Sequence, residues 1–176
     1  YNLPQIRAGL GDKRTLQLAK VFGAPVIMDA AQRAGSLRAT MVNRGVRVLL
    51  FEGGGANRFD HDVIEAGTAG TLRVLEELDM GAEAPERDGP EPLVSYSSRW
   101  VRARRGGIFR PTVGLGETVT KGDTVGRISD VFGSRPTTLR SPIDGIVVSL
   151  DTNPLVNPGD GLVHVADTES DPKRKK

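Results

Sequence analysis

The stretch Val46–Gly55, with the sequence Val-Arg-Val-Leu-Leu-Phe-Glu-Gly-Gly-Gly, decides how the first half of the chain is interpreted. Its apolar, β-branched run predicts a buried strand over Val46–Phe51. A buried strand rarely tolerates an unpaired charge, so we expect Glu52 just past the carboxyl end of the strand, where open α/β sheets place ligands and chemistry. The three glycines would let backbone or substrate approach closely. A carboxylate that merely caps the following turn is the alternative, and the run by itself favours that alternative, so a functional role for Glu52 depends on the rest of the sequence.

Helix and strand patterns alternate around this stretch. Asp12 and Ser36 are capping residues that begin two predicted helices, the first ending at Gly23 and the second near Gly45, and a short apolar strand is predicted at 24–28 between them. Asp60 begins a third, longer helix whose middle is weakened by two glycines. The order helix, strand, helix, strand, helix predicts an α/β layer with parallel strands.

Two strands make a poor sheet, because a parallel sheet that is covered on both faces normally has several more. Residues 1–81 are therefore interpreted as the C-terminal part of an α/β domain whose earlier part is missing. Asn2–Gln5 is interpreted as a loop. Tyr1, in place of an initiating methionine, indicates a processed, trimmed or partial sequence.

The pattern changes after residue 81. Residues 82–98 carry several acids and prolines and predict a linker, residues 99–167 predict an all-β domain, and residues 168–176 predict a disordered basic tail. The predicted strands of the β domain are Val101–Arg104, Gly107–Phe109, Thr118–Thr120, Thr124–Ile128, Gly145–Leu150 and Leu162–Val165.

An internal repeat organises the β domain. Gly107-Ile108 recurs as Gly145-Ile146, and the segment Val119–Val125 recurs as Val156–Leu162, each with a Gly-Asp turn between two strands. Two such copies could interlock into a small sandwich, which resembles the barrel-sandwich fold of biotinyl and lipoyl domains. Those carriers present an attachment lysine between the halves, and the segment 128–145 contains no lysine. A carrier role is therefore disfavoured, and the domain is interpreted as structural or as a lid.

Composition limits the classes of function. With 176 residues, 38% apolar and 26% charged, the chain has the profile of a globular protein that can bury a core. A net charge of +2 and 5% aromatic residues are not typical of a nucleic-acid-binding protein. The absence of cysteine excludes disulfides, thiolate catalysis and cysteine-based zinc sites. No run is long enough to cross a bilayer, so we expect no membrane partner. The absence of cysteine is compatible with the cytosol, and a cytoplasmic location is expected.

The two histidines, His61 and His164, fall in different predicted domains. Catalytic zinc usually takes three protein ligands, so these two do not predict a metal site by themselves. His61 and Glu65 are predicted to form a solvated pair on an exposed helix turn. His164 alternates with valines in what is predicted to be an edge-like strand, either at the surface or as a hydrogen-bonded core histidine.

Taken together, several segments in order resemble the second half of the succinylglutamate desuccinylase/aspartoacylase family, zinc-dependent deacylases similar to the carboxypeptidase A class. The segments that carry this resemblance are Asn2–Arg7, Phe22–Val26, Gly35–Arg38, Val46–Gly54, Trp100–Ala103, Gly106–Pro111 and Asn153–Asn157. The resemblance runs from Asn2 to about Val165 and implies a zinc-carboxypeptidase-like α/β domain followed by the β domain.

The resemblance also implies a chemistry. In the family, a zinc ion is held by two histidines and a glutamate, which are expected upstream of this chain, so no metal ligand is assigned here. Glu52 matches the family's catalytic glutamate and is expected to act as general base on zinc-bound water and then to protonate the leaving amine. Arg38 is expected to grip a substrate carboxylate, with an exposed helix arginine as the alternative. Asn2 and Arg7 are expected to line the substrate pocket.

The resemblance therefore implies a zinc-dependent deacylase that cleaves an amide bond of an N-acyl amino acid or a similar small molecule. The 176-residue chain alone is expected to be inactive, because the zinc ligands are expected elsewhere. The alternative is a non-enzymatic binding or scaffold module built on the β domain. The acyl group and the oligomeric state are left open, with a homo-oligomer among the candidates.

Overall fold

The computed structural model describes residues 1–81 and 83–169. Their contacts divide them into two compact units. Pro4–Tyr96 forms the first, which we call the helical unit. Tyr1–Leu3 and the described residues from Ser97 onward form the second, the β unit. Within the described residues, no helix combines the length and the apolar composition that a membrane crossing requires.

The helical unit alternates strands and helices along the chain. Its elements are β1 (Asn2–Ala8, which begins in the β unit), α1 (Lys13–Phe22), β2 (Val26–Asp29), α2 (Leu37–Asn43), β3 (Leu50–Gly54), α3 (His61–Glu77) and β4 (Leu93–Ser95). The strands lie in the order β4, β2, β1, β3, and both the β1–β2 and the β2–β4 pairs are parallel. The predicted alternation of helices and strands is thus confirmed, and of the predicted strands β2 has parallel partners on both sides.

The helix ends follow the predicted capping residues. Asp12 caps α1 by accepting hydrogen bonds from the backbone N–H of Thr15 at 3.1 Å and from its hydroxyl at 2.7 Å. Those bonds, together with the Arg47 guanidinium, hold the pKa of Asp12 at about 2. Ser36 caps α2 in the same way, and α3 begins directly after Asp60. Gly23 closes α1 with a φ of 81°, a left-handed conformation that suits glycine.

The two glycines that were expected to weaken α3 have a packing role. A Cβ at Gly70 would overlap the ring of Phe22, and one at Gly67 would lie 2.9 Å from the ring of Phe51. The two rings contact each other, with centroids 5.2 Å apart. The glycines lower the helix propensity of α3, but they allow α3 to pack closely against the aromatic core of the helical unit.

Two strands of the helical unit were missed, and both predictions at those places are wrong. Asn2–Gln5, for which the sequence predicts a loop, belongs to β1, and the predicted linker 82–98 contains β4. Pro4 and the polar residues Gln5 and Arg7 make the sequence of β1 look unlike a strand. Ile6 and Ala8, which alternate with Gln5 and Arg7, nevertheless point into the core. β4 has only three residues, too few for a period to show.

The strand around Glu52 also differs from its prediction. β3 begins at Leu50 rather than Val46, and Glu52 is the third of its five residues instead of following its end. No residue from Val46 to Gly53 is fully buried. The physical reason is position, because β3 pairs with β1 alone among the described strands and so forms an edge of the sheet there.

The β unit is built from short strands. These are β5 (Ser98–Arg102), β6 (Gly107–Pro111), β7 (Thr118–Val119), β8 (Thr124–Ser129), β9 (Thr137–Arg140), β10 (Gly145–Leu150), β11 (Leu155–Val156) and β12 (Gly161–Asp167). One antiparallel sheet has the order β11, β6, β8, β9. In the other, β12 lies between β10 and β5, while β7 and Asn2 of β1 pair with β10.

The internal repeat is visible in the strand register. Val119 of β7 lies opposite Gly145 of β10, and Val156 of β11 lies opposite Gly107 of β6. The short strand of each copy, β7 or β11, therefore pairs with the first strand of the other copy, β10 or β6. The two copies interlock, as the repeat predicted, around an apolar core that includes Phe109, Ile128, Val147, Leu162 and Val165.

The Gly-Asp turns of the two copies have matching geometry. Gly122 and Gly159 have φ angles of 98° and 97°. Asp123 accepts a hydrogen bond from the N–H of Thr120 at 2.8 Å, and Asp160 accepts one from the N–H of Asn157 at 2.7 Å. The bond from Thr120 keeps the pKa of the Asp123 carboxyl below its ordinary value. The likeness to biotinyl and lipoyl domains stays a prediction, and Ser170–Lys176 of the predicted tail lie outside the described residues.

Candidate functional site

Glu52 lies on β3 beside Arg7 of β1. Arg7 Nε is 2.8 Å from Glu52 Oε2, and the two side chains are 23% and 34% exposed. The Arg7 N–H is not aligned for a hydrogen bond, so the contact is an ion pair. The structure therefore brings together two of the four predicted site residues, but as partners of each other.

The glycines after Glu52 serve packing within the helical unit. A Cβ at Gly53 would lie 2.7 Å from Val63 Cγ1 of α3. Gly54 has a φ of 72°, and Gly55 donates its backbone N–H to Asp60 Oδ2 at 2.9 Å. The close approach that the glycines permit is thus an approach of α3 to β3. It fixes the backbone on which Glu52 stands.

Arg38 lies in the first turn of α2. Its Nη2 donates a hydrogen bond to the carbonyl oxygen of Ala31 at 2.8 Å. Its Nη1 is buried and has no hydrogen-bond partner in the described part of the chain. Arg38 is of intermediate burial, and a buried donor group without a partner is costly unless a ligand or water completes it. Whether Arg38 binds a substrate carboxylate or is a surface helix arginine stays a prediction. Arg38 and Glu52 share no hydrogen bond or ion pair within residues 1–81 and 83–169.

Asn2 and Gln5 both lie on β1. Asn2 falls in the β unit, where it pairs with Ser149 of β10. Gln5 is fully buried in the helical unit, and neither atom of its amide has a hydrogen-bond partner among the described residues. Gln5 was missed in the sequence because its strand was missed. The available signal was the alternation of Gln5 and Arg7 with the apolar residues between and after them.

The described residues do not form a zinc centre. Within residues 1–81 and 83–169, no three histidine, aspartate or glutamate side chains come together in a way that could hold a metal ion. His61 is exposed at the start of α3, as predicted. His164 is buried, with Nε2 2.8 Å from Ser98 Oγ and its ring stacked on Trp100 at 4.4 Å.

The environment of His164 decides between its two predicted roles. β12 is flanked by β10 and β5, so the prediction of an edge-like strand is wrong. The prediction of a hydrogen-bonded core histidine is confirmed. His164 therefore has a structural place in the β unit.

One cavity of the helical unit, about 440 Å³, opens between α1, α3 and β3. Its walls are mostly apolar and include Ile6, Phe22, Phe51 and Val74. Glu52 does not line it. This cavity offers apolar packing and no proton-transfer group, so it does not supply the chemistry of the candidate site.

Comparison with known proteins gives one curated relative. It is the N-alpha-acetyl-L-2,4-diaminobutyric acid deacetylase of Halomonas elongata, 27% identical over an alignment of 172 residues that covers 88% of this chain and 47% of the relative. No family model matches the chain. The chain thus spans about half the length of the curated relative that it matches.

Solved structures extend the likeness to the fold. A succinylglutamatedesuccinylase/aspartoacylase from Rhodobacter sphaeroides matches with a TM-score of 0.81 and 29% identity, over 97% of this chain and 55% of that one. The ectoine utilization protein EutE from Ruegeria pomeroyi, at 22% identity, matches in fold alone, with a TM-score of 0.83 over 95% of this chain and 56% of that one. The resemblance drawn from the sequence segments is confirmed by these proteins.

Proposed function

Because this chain shares its sequence pattern and its fold with part of the succinylglutamate desuccinylase/aspartoacylase family, we propose that the whole protein is a hydrolase that cleaves the amide bond of an N-acyl amino acid or a similar small substrate. The observation that carries the proposal is the placement of Glu52. Its carboxylate stands on β3 beside Arg7, and the sequence resemblance implies that Glu52 corresponds to the family's catalytic glutamate.

Glu52 is the proposed general base. It takes a proton from the attacking water as the water oxygen bonds to the amide carbonyl carbon, and it passes that proton to the nitrogen as the C–N bond breaks. The products are a carboxylic acid and a free amine. The Glu52 side chain is 34% exposed, so part of it is shielded from bulk water.

Arg38 is the proposed group for the substrate's own carboxylate. An N-acyl amino acid keeps its α-carboxylate, and the buried Nη1 of Arg38 is a donor that lacks a partner among the described residues. A charge-assisted hydrogen bond from Nη1 to the ligand would satisfy it, while Nη2 stays on Ala31. The expectation that Asn2 lines the pocket stays untested.

Zinc is part of the proposal and does not enter the steps above. The described residues offer no set of ligands that fits it, so the proposal assigns its ligands to the part of the whole protein that this chain does not span. When bound, zinc would supply Lewis-acid chemistry to the carbonyl and to water.

The test is a comparison of the whole protein with residues 1–176. The whole protein is expected to release free amine from N-acetyl or N-succinyl amino acids and to lose this turnover when a chelator removes its metal. Residues 1–176 are expected to show neither turnover nor stoichiometric zinc. Amine release is followed with an amine-reactive dye and zinc by elemental analysis. Turnover and zinc in residues 1–176 would contradict the assignment of the ligands.

The same assay separates the enzyme from the scaffold module. A folded whole protein that releases amine from none of the N-acyl amino acids would remove the hydrolase proposal. Substrates in which the α-carboxylate is replaced by a carboxamide serve as the matched control, because they retain the scissile amide but lose the anion that Arg38 is proposed to bind.

A further inference from the structure

The ion pair between Arg7 and Glu52 joins two strands that are adjacent in the sheet but far apart along the chain. Arg7 lies on β1 and Glu52 on β3, with Nε and Oε2 2.8 Å apart. Both side chains are partly shielded from solvent. Such a contact is less screened by salt and water than a fully exposed pair, so it can hold one conformation of the Glu52 side chain.

The strand geometry explains why the Arg7 side chain lies beside Glu52. Ile6 and Ala8 of β1 enter the core with α1, so Arg7 between them faces the other side of the sheet. Arg7 pairs with Met28 of β2 on one side, and its guanidinium reaches toward β3 on the other. The backbone of Arg7 is therefore fixed by the parallel β1–β2 ladder while its charge meets Glu52.

We propose that Arg7 is a positioning residue that holds the Glu52 carboxylate by one oxygen, Oε2, and thereby orients the other oxygen for proton transfer. This inference rests on the proposed function, because it assigns Glu52 the role of general base. It replaces the expectation that Arg7 lines the pocket to bind substrate, since the charge of its guanidinium is already balanced by Glu52.

The chemical reason is the freedom of a glutamate side chain. Glu52 has three side-chain torsions, and a general base must lie within hydrogen-bond reach of the proton that it takes. A base that samples several rotamers spends less time in the productive one, and a misplacement of about 1 Å can cost about 100-fold in rate. The left-handed backbone at Gly54 and the packing of Gly53 fix the main chain, whereas Arg7 fixes the side chain.

Arg7→Met and Arg7→Lys in the whole protein test the proposal. Arg7→Met is expected to lower kcat about 10- to 100-fold while KM changes less than about twofold, and Arg7→Lys is expected to recover part of kcat because it restores a cation beside Oε2. A rise in KM at unchanged kcat would show that Arg7 binds substrate and would overturn the proposal. Unchanged kcat and KM would overturn it as well.

Arg14→Met is the matched control. Arg14 forms an ion pair with Glu77 in the same unit, with side-chain exposures of 34% and 30% that resemble those of the Arg7 pair. Its loss is expected to lower the melting temperature about as much as Arg7→Met does and to leave kcat unchanged within about twofold. If Arg14→Met lowers kcat as much as Arg7→Met, the effect of Arg7 is one of general stability and the proposal fails.

A double-mutant cycle separates this proposal from the function on which it rests. If Arg7 acts through Glu52, Arg7→Met is expected to change the residual kcat of Glu52→Gln less than about twofold. A full additive loss in the double variant would overturn the positioning role while the hydrolase proposal stands. If Glu52→Gln itself leaves kcat unchanged, the proposed base fails first, and the positioning role fails with it.

Discussion

Replacing Glu52 by Gln in the whole protein is expected to lower kcat for N-acyl amino acid hydrolysis by a factor of about 10² to 10⁴. The amide of glutamine has nearly the same shape as the carboxylate but cannot accept a proton from water at neutral pH. KM is expected to change little, because Arg38 and not Glu52 is proposed to hold the substrate. The measurement is steady-state amine release at several substrate concentrations, with metal content determined for each preparation.

Two further variants make the Glu52 prediction specific. Glu52→Asp keeps a carboxylate but withdraws it by one methylene, so its loss of kcat is expected to be smaller than that of Glu52→Gln. Glu65→Gln removes an exposed carboxylate of α3 in the same unit and is expected to leave kcat unchanged. The base assignment is wrong if Glu52→Gln retains kcat within about threefold of the wild type while its melting temperature and metal content are normal.

The helices could be predicted from the sequence because their ends are set locally. Asp12 and Ser36 accept hydrogen bonds from residues three positions further along, and Gly23 takes up the left-handed conformation that ends α1. Each of these signals lies within a few residues of the helix that it delimits. The predicted starts at Asp12, Ser36 and Asp60 accordingly agree with the structure.

The strands β1 and β4 could not be predicted in the same way, because what makes them strands is their partner. Pro4 has poor strand propensity and Gln5 is polar, yet Gln5–Ala8 pairs with Val26–Asp29 of β2. β4 then pairs with β2 on its other side, across a long separation in sequence. The pairing within the β unit could be predicted, unlike that of β4, because the internal repeat shows the same strand, turn and strand twice. The two similar copies are visible in the sequence, and each supplies the pairing partner of the other.

The candidate site could be predicted only in part, because some of its features are local in the sequence and others depend on which strands are neighbours. Glu52 could be singled out from its position after an apolar run and from the family resemblance. Its contact with Arg7 depends on β1 lying next to β3, which no local pattern of the sequence encodes. Gln5 shows the same limit, because its burial follows from the sheet and not from its residue type.

Gly145→Ala is expected to destabilise the β unit by about 3 kcal/mol. Gly145 begins β10, where a Cβ would overlap the carbonyl oxygen of Ala166 and lie 2.8 Å from Val165 Cγ1. The first of these atoms belongs to the backbone of β12, so the clash can be relieved only by separating two central strands. Gly107 stands at the same place in the other copy of the repeat, where a Cβ would overlap the carbonyl oxygen of Ser129.

Urea unfolding of the 176-residue chain, monitored by tryptophan fluorescence, measures the loss of stability in the β unit. Trp100 is the single tryptophan and stacks on His164 of β12, so its emission reports the strand that a Cβ at Gly145 would displace. Gly114→Ala is the matched control, because a Cβ there would meet nothing closer than Glu117 Oε2 at 3.9 Å, and its effect is expected to stay within about 0.5 kcal/mol. Equal unfolding midpoints for Gly145→Ala and Gly114→Ala would mean that β10 and β12 do not approach as closely as the interlocked repeat requires.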